Sequence, residues 1–328
     1  MSTVTASEAQ SVALEALVYC HRRQGNVLCR ESNGTLRVLF GKNAAGISPK
    51  FTAPYGIAAD HARQGVWISD KHSNTIWFAK FANSHANLWS SENFQFEKFT
   101  HHAMRAPCMV DVHPSQGTLV ACYGTTSEPG ALIRFDGKVW EDITVENFKE
   151  KITHCCWWPD GGYSYVTRSD SVLWHCEGVG AVPRALTISG NNRMLSPTSG
   201  PLEKLRLRYV QGLRYSLHRD GLLIADASLG AIYFVDLKSG SYFVVAGKPT
   251  ITNSEQRALL SSGRADVWLG PIRGIAEDSS GRILILDGER GSLYLLKGSN
   301  ELQEIESHTC ELSKVILGTG MALIRTAV

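Results

Sequence analysis

Three groups of residues have the types that chemistry uses. The first is a recurring carboxylate. Asp70, Asp226 and Asp287 each end a short apolar run and precede a turn. Convergent carboxylates ligate metals and move protons. A carboxylate that returns at one place in successive similar segments more simply accepts backbone N–H bonds, and turn capping is the role expected of all three. The second group is His154-Cys155-Cys156, an imidazole beside two thiols. Neighbouring side chains in a strand point to opposite faces, so adjacency makes no nucleophile–base pair, and inert buried thiols are expected. His21, His72 and His154 stand in no H-x-H or H-x-x-x-H spacing, so neither a metal centre nor a cofactor is expected. The third group is cationic. Arg22, Arg23, Lys71, His72, Arg168, Arg214, Arg273 and Arg290 fall in or beside polar turns. Brought together, they would form an anion-attracting rim suited to an acidic protein segment, a phosphate or an RNA backbone.

The elements around these residues recur. Pro271 to Leu296 reads as an apolar strand at Gly274-Ile275-Ala276, a polar turn ending at Gly281, a strand from Ile283 to Leu286, a tight loop, and a strand from Leu293 to Leu296. Pro54 to Ala79 and Val210 to Val235 repeat the pattern, with Gly56-Ile57-Ala58 and Gly212-Leu213 on the first strand. Pro107 to Phe135 and Ile152 to Trp174 are weaker copies. The copies start at Gly56, Met109, Cys155, Gly212 and Gly274, a period of about 50 residues. Gly320-Met321-Ala322 begins a further copy, and Leu17–Cys20, Asn26–Arg30 and Thr35–Phe40 supply its other strands from the opposite end of the chain. Packing four-stranded sheets face to face around an axis buries their faces, and closing the ring removes the end blades. The pattern therefore predicts an all-β fold: a six-bladed β-propeller of four-stranded antiparallel blades, its ring closed by N- and C-terminal strands in one blade. Residues 1–15 are read as an N-terminal segment, with a short helix over 5–17 competing with a strand from Leu14, and residues 16–328 as a single propeller domain.

Composition agrees with a packed protein. Hydrophobic residues make up 43% and charged residues 20%, enough to bury a core. A net charge of +2 does not by itself imply nucleic acid. The eight cysteines form no C-x-x-C pair. No basic residue precedes the first apolar run, and no run is long enough to span a membrane. The expectation is a soluble, reduced, cytoplasmic protein with buried thiols and no membrane partner.

The pattern P-x-G-I-A-x-D, followed by G, a short apolar run and D, resembles the NHL repeat of six-bladed propellers. The connectors Phe40-Gly41-Lys42 to Pro54 and Ala246-Gly247-Lys248 to Pro271 resemble the linkers between NHL blades. The resemblance implies a fold rather than an activity. The family includes RNA- and protein-binding platforms, and its wider relatives include lactonases, amidating lyases and strictosidine-synthase-like enzymes. In such a ring, ligands meet the axial mouth. Tyr55, His154, Arg214 and Arg273 lie where the chain enters inner strands, and Arg22, Arg23, Lys71, His72, Arg168 and Arg290 lie between second and third strands. Inner-strand positions read as apolar or small, without the carboxylate set of a lactonase or the histidines of an amidating lyase.

Three insertions carry other candidates. Asn83 to His102 holds Trp89, Phe94, Phe96 and Phe99, placed either over a blade or against a partner. In Gly178 to Tyr209, Lys204, Arg206 and Arg208 alternate with leucines, as in an edge strand with one basic face. Thr250 to Trp268 reads as a connector with one helical turn near Glu255 to Leu260. The functional expectation is a non-catalytic scaffold binding a protein partner through its loops. The alternatives are RNA or another polyanion at the basic rim, and a hydrolase or lyase of the six-bladed class. No small-molecule substrate is evident.

Overall fold

The computed structural model describes residues 14–31, 34–44, 48–82, 90–146, 148–188, 197–249, 269–278, 280–287, 293–297, 301–306 and 321–326. Their strands form six antiparallel sheets. The first blade joins β1 (Leu14–His21), β2 (Asn26–Arg30) and β3 (Leu36–Gly41) to β25 (Met321–Thr326), in the order β25-β1-β2-β3. The second holds β4 (Pro54–Asp60), β5 (Gly65–Asp70), β6 (Thr75–Phe81) and β7 (Phe94–Phe99). The third holds β8 (Pro107–His113), β9 (Gly117–Cys122), β10 (Ala131–Phe135) and β11 (Trp140–Asp142). The fourth holds β12 (Ile152–Trp157), β13 (Tyr163–Thr167), β14 (Leu173–Cys176) and β15 (Arg184–Ala185). In the fifth, β16 (Ser199–Pro201) adds an outer strand to β17 (Val210–Ser216), β18 (Gly221–Asp226), β19 (Ala231–Asp236) and β20 (Ser241–Gly247), making five strands where four were expected. The sixth holds β21 (Ile272–Glu277), β22 (Ile283–Asp287), β23 (Leu293–Lys297) and β24 (Glu301–Glu306).

Each blade is covered on both faces by its neighbours, so its middle strands are largely buried on both sides rather than alternating. β5, β13 and β18 are buried at every position. The inner strands β4, β8, β12, β17, β21 and β25 pack side by side, and β25 meets β4 to close the ring. At this convergence a side chain can be too large. A Cβ on Gly56 would stand 2.3 Å from the Cys108 carbonyl oxygen and 2.7 Å from the Met109 Cα.

One irregularity recurs. In blades two to six the inner strand loses register with its neighbour at its start: between Pro54 and Ile57, Pro107 and Met109, Ile152 and His154, Val210 and Gly212, and Ile272 and Gly274. Each is a bulge, and the extra residue leaves the ladder. The residues set out of register are Tyr55 with Gly56, then Cys108, Thr153, Gln211 and Arg273.

Several expectations are corrected here. From Leu14 the chain is strand, and the rest of the expected N-terminal helix lies outside the described residues, as do Trp89, Arg290 and the 255–260 turn. Lys204 to Arg208 is not an edge strand. Lys204 ends a single helical turn, Leu202–Lys204, and the chain then runs extended with one bridge, Ile188 to Arg206. Leu205 and Leu207 are buried in the core shared by blades four and five, which is what the alternation encoded. Phe94 is 6% exposed and stands edge-on to Phe40, with Phe96 beside it, so this pair fills the seam between blades one and two rather than offering a docking face.

Candidate functional site: the axial mouth

The mouth is built from two repeat positions. The first is the residue directly after each second strand. Its N–H donates to the carbonyl of the residue just before the inner strand: Lys71 to Ala53 at 3.0 Å, Tyr123 to Ala106 at 2.9 Å, Arg168 to Lys151 at 2.8 Å and Ala227 to Tyr209 at 2.9 Å. Arg22 directly follows β1 and opens a single helical turn with Arg23. The second position is the bulge, which sets Tyr55, Cys108, Gln211 and Arg273 out of the ladder.

Below these residues the recurring aspartates hold the incoming chain. Asp70 accepts from the Thr52 and Ala53 N–H groups at 2.9 and 2.7 Å. Asp226 accepts from Arg208 N at 2.6 Å, and from Ser228 N and Leu229 N at 3.0 Å each. Both carboxylates are buried and turned to backbone, so neither faces the mouth.

What faces the mouth is cationic and aromatic. The Lys71 ammonium lies 4.8 Å from the centre of the Tyr55 ring and 4.4 Å from that of Tyr123. The Arg22 guanidinium lies 5.4 Å from the Tyr55 ring centre and is 3.2 Å from His72 Nε2. Arg168 stands over Tyr209 at 4.6 Å, and Arg273 donates to Gln211 Oε1 at 3.4 Å. Burial works to raise the Tyr209 phenol pKa, but Arg168 and Arg273 both act on its hydroxyl and lower it on balance. Cation–ring contacts of this kind contribute about 0.5–1 kcal/mol each where exposed and about 2 where dry.

Arg214 is not part of this rim. It lies in the axial channel. Its Nη2 donates to the Met321 carbonyl at 2.7 Å and the Ile57 carbonyl at 3.1 Å, and Nη1 stands 3.4 Å from Asp111 Oδ1. Asp111 Oδ2 also accepts from Trp157 N at 2.8 Å. Burial raises the Asp111 carboxyl pKa, and the charge of Arg214 works against that rise. The register places Ala58, Asp111, Cys156, Arg214, Ala276 and Ala322 at one repeat position. Three alanines leave the space through which Arg214 crosses. The expectation of only apolar or small inner-strand positions is therefore corrected: two of the six carry a matched charge pair. Comparing the copies finds it, because the charged departures have opposite sign.

His154 is corrected in the same frame. The blade-four bulge is at Thr153, so His154 takes the position that Gly56, Gly212 and Gly274 hold in other blades. It is fully buried, and neither ring nitrogen has a partner in hydrogen-bond geometry. Burial pushes its pKa down to about 3, helped by the charges of Arg214 and Lys71 and opposed by the Gln211 backbone. Burial drives the Cys155 and Cys156 thiols well above their ordinary range. A thiolate–imidazolium pair needs both shifts reversed.

Thus the mouth gathers Arg22, Tyr55, Lys71, His72, Arg168 and Arg273 among the expected residues, and adds Tyr123, Tyr209 and Gln211. Arg214 and His154 lie deeper, Phe94 and Phe96 belong to a blade seam, and Lys204, Arg206 and Arg208 follow the seam between blades four and five.

No protein-family model matches the sequence, and no curated protein does. Solved structures do. A chain of a nidogen/laminin complex is similar with a TM-score of 0.64 and 11% identity over 94% of this chain and 98% of its own. A streptogramin B lyase is similar at 0.57 and 8% identity, covering 95% and 86%. A virginiamycin B lyase from Staphylococcus aureus is similar at 0.56 and 11% identity, covering 92% and 82%. Likeness at this identity carries the propeller and no activity.

Proposed function

We propose that this chain is an NHL-like propeller acting as a non-catalytic interaction module, which takes an acidic segment of a protein partner at its axial mouth. The charge balance of the mouth carries the reading. Arg22, Lys71, Arg168 and Arg273 come from four blades, and among the described residues none of them is in an ion pair. At the opposite end of the blades, cations such as Arg134 and Arg219 sit on carboxylates, and at the mouth's end Arg105 takes Glu128. Positive charge left without a counter-charge at one end of a ring favours an anionic partner. The rival RNA reading needs open ring faces on which bases stack, and here cations already cover Tyr55, Tyr123 and Tyr209. The hydrolase or lyase reading needs an activated group, and the buried thiols and His154 are shifted the wrong way.

The test compares wild type with Arg168→Glu/Arg273→Glu. The expected outcome is a protein that copurifies after nuclease treatment, binds again as a purified component, and loses affinity about tenfold or more in the variant. Retention of RNA alone, or turnover of a lactone or ester by the purified chain, overturns the proposal.

A further inference from the structure

We infer that the mouth is built for a phosphate monoester on a side chain of the partner segment, rather than for a run of carboxylates; this rests on the mouth being the binding site. Three observations carry it. The first is charge. Among the described residues four cations stand there in no ion pair with a carboxylate, and one carboxylate would offset only one of them. A phosphoserine or phosphothreonine carries about −1.5 to −2 with three strong acceptor oxygens. The second is convergence. Arg168 of blade four stands 4.6 Å from the Tyr209 ring centre and Arg273 of blade six donates to the neighbouring Gln211 Oε1, and the charges of both lower the Tyr209 phenol pKa. Two planar, multi-donor guanidiniums brought from different blades to neighbouring residues are the donor type that holds phosphate oxygens, whereas a lysine-only patch would offer point charges. The third is depth. Arg214 crosses the channel to the Ile57 and Met321 carbonyls, so no extended chain threads the axis and the ligand must present a compact group from outside. Tyr55 and Tyr123 bracket the Lys71 ammonium and hold it at the mouth, which lowers the entropy lost when it meets an anion.

The experiment titrates the full chain with three fluorescent probes: a glycine-flanked phosphoserine peptide, the same peptide with glutamate, and a single-stranded RNA oligonucleotide, whose diesters are monoanions. The phosphoserine peptide is expected to bind about tenfold more tightly than the glutamate peptide. Arg168→Gln and Arg273→Gln should each lose most of that preference. Arg282→Gln, whose guanidinium sits on Asp278 away from the mouth, should keep it, and matched melting curves exclude unfolding as the cause. Equal binding of the two peptides overturns the phosphate inference while leaving an acidic-segment mouth in place. Preference for RNA, or binding of the phosphopeptide unchanged by both arginine variants, overturns both.

Discussion

At the scale of the residue, the consequential side chains are those whose ionisation the ring displaces. Tyr209 is the exception among the perturbed phenols: burial pushes Tyr163, Tyr165 and Tyr233 up, whereas the arginines beside Tyr209 bring it down. Ultraviolet titration should therefore show one early-ionising tyrosine that disappears in Tyr209→Phe and moves to higher pH in Arg168→Gln. An unchanged first step in Tyr209→Phe would place the arginine charge elsewhere. His154 makes a stability prediction. Its folded pKa, about 3, lies below the ordinary value of 6.5, so between these values the unfolded chain binds the extra proton. The neutral imidazole thus contributes stability that is present above pH 6.5 and drains as pH falls toward 3. The slope approaches about 1.4 kcal/mol per pH unit for one proton. Urea melts of His154→Phe at pH 7, 6 and 5 should show a flatter acid limb than wild type, and parallel limbs would contradict the assignment.

At the scale of the element, the unit is an inner strand with a bulge at its start, below which in blades two and five an aspartate fastens the incoming chain. Asp226→Ala leaves the N–H groups of Arg208, Tyr209, Ser228 and Leu229 without their acceptor. Orphaned buried donors cost about 1–3 kcal/mol each before relaxation. Loss of about 3 kcal/mol is expected in chemical unfolding, with Asp226→Asn milder because one oxygen remains. An effect below about 0.5 kcal/mol would put Asp226 among ordinary surface substitutions. The role of Asp70 and Asp226 was legible in the sequence, because recurrence argued for capping, and so were the strands, because burial on both faces leaves long apolar runs. The bulge was not legible. It is a property of backbone pairing, and Tyr55, Cys108, Thr153, Gln211 and Arg273 share no residue type. Without it the blade-four frame slips by one residue, which is why His154 reads as a rim residue when it fills a glycine position. Tyr123 and Tyr209 were missed because aromatic residues in loops carry no charge signal of their own. Tyr123 donates and Tyr209 accepts the backbone hydrogen bond that recurs in blades two to five, and that recurrence is what gives them away.

At the scale of the whole molecule, the question is what keeps a ring closed when one blade is assembled from both ends of the sequence. The β25–β1 ladder pairs Leu14–Tyr19 with Met321–Thr326. Arg214 adds a spoke from the far side: it leaves blade five, crosses the space provided by Ala58, Ala276 and Ala322, and binds the carbonyls of Met321 in the closing strand and Ile57 in the blade next to it. Asp111 supplies the counter-charge from blade three. Removing one member of a part-buried charge pair leaves the other unpaired and costs less than the roughly 3–5 kcal/mol of a fully buried one, whereas removing both costs less than the sum. Arg214→Met and Asp111→Asn should each destabilise, and the double variant should recover part of the loss. A purely local pair would stop there. A spoke predicts more: in Arg214→Met, amide exchange should quicken in β25 and β1, remote in sequence from the substitution, while Asp226→Ala quickens exchange mainly at the start of β17. Equal protection of β25 in Arg214→Met and wild type would show that the closing ladder holds alone. Because the spoke lies below the mouth and shares no side chain with it, the phosphoserine preference should survive in Arg214→Met at temperatures where the variant is folded.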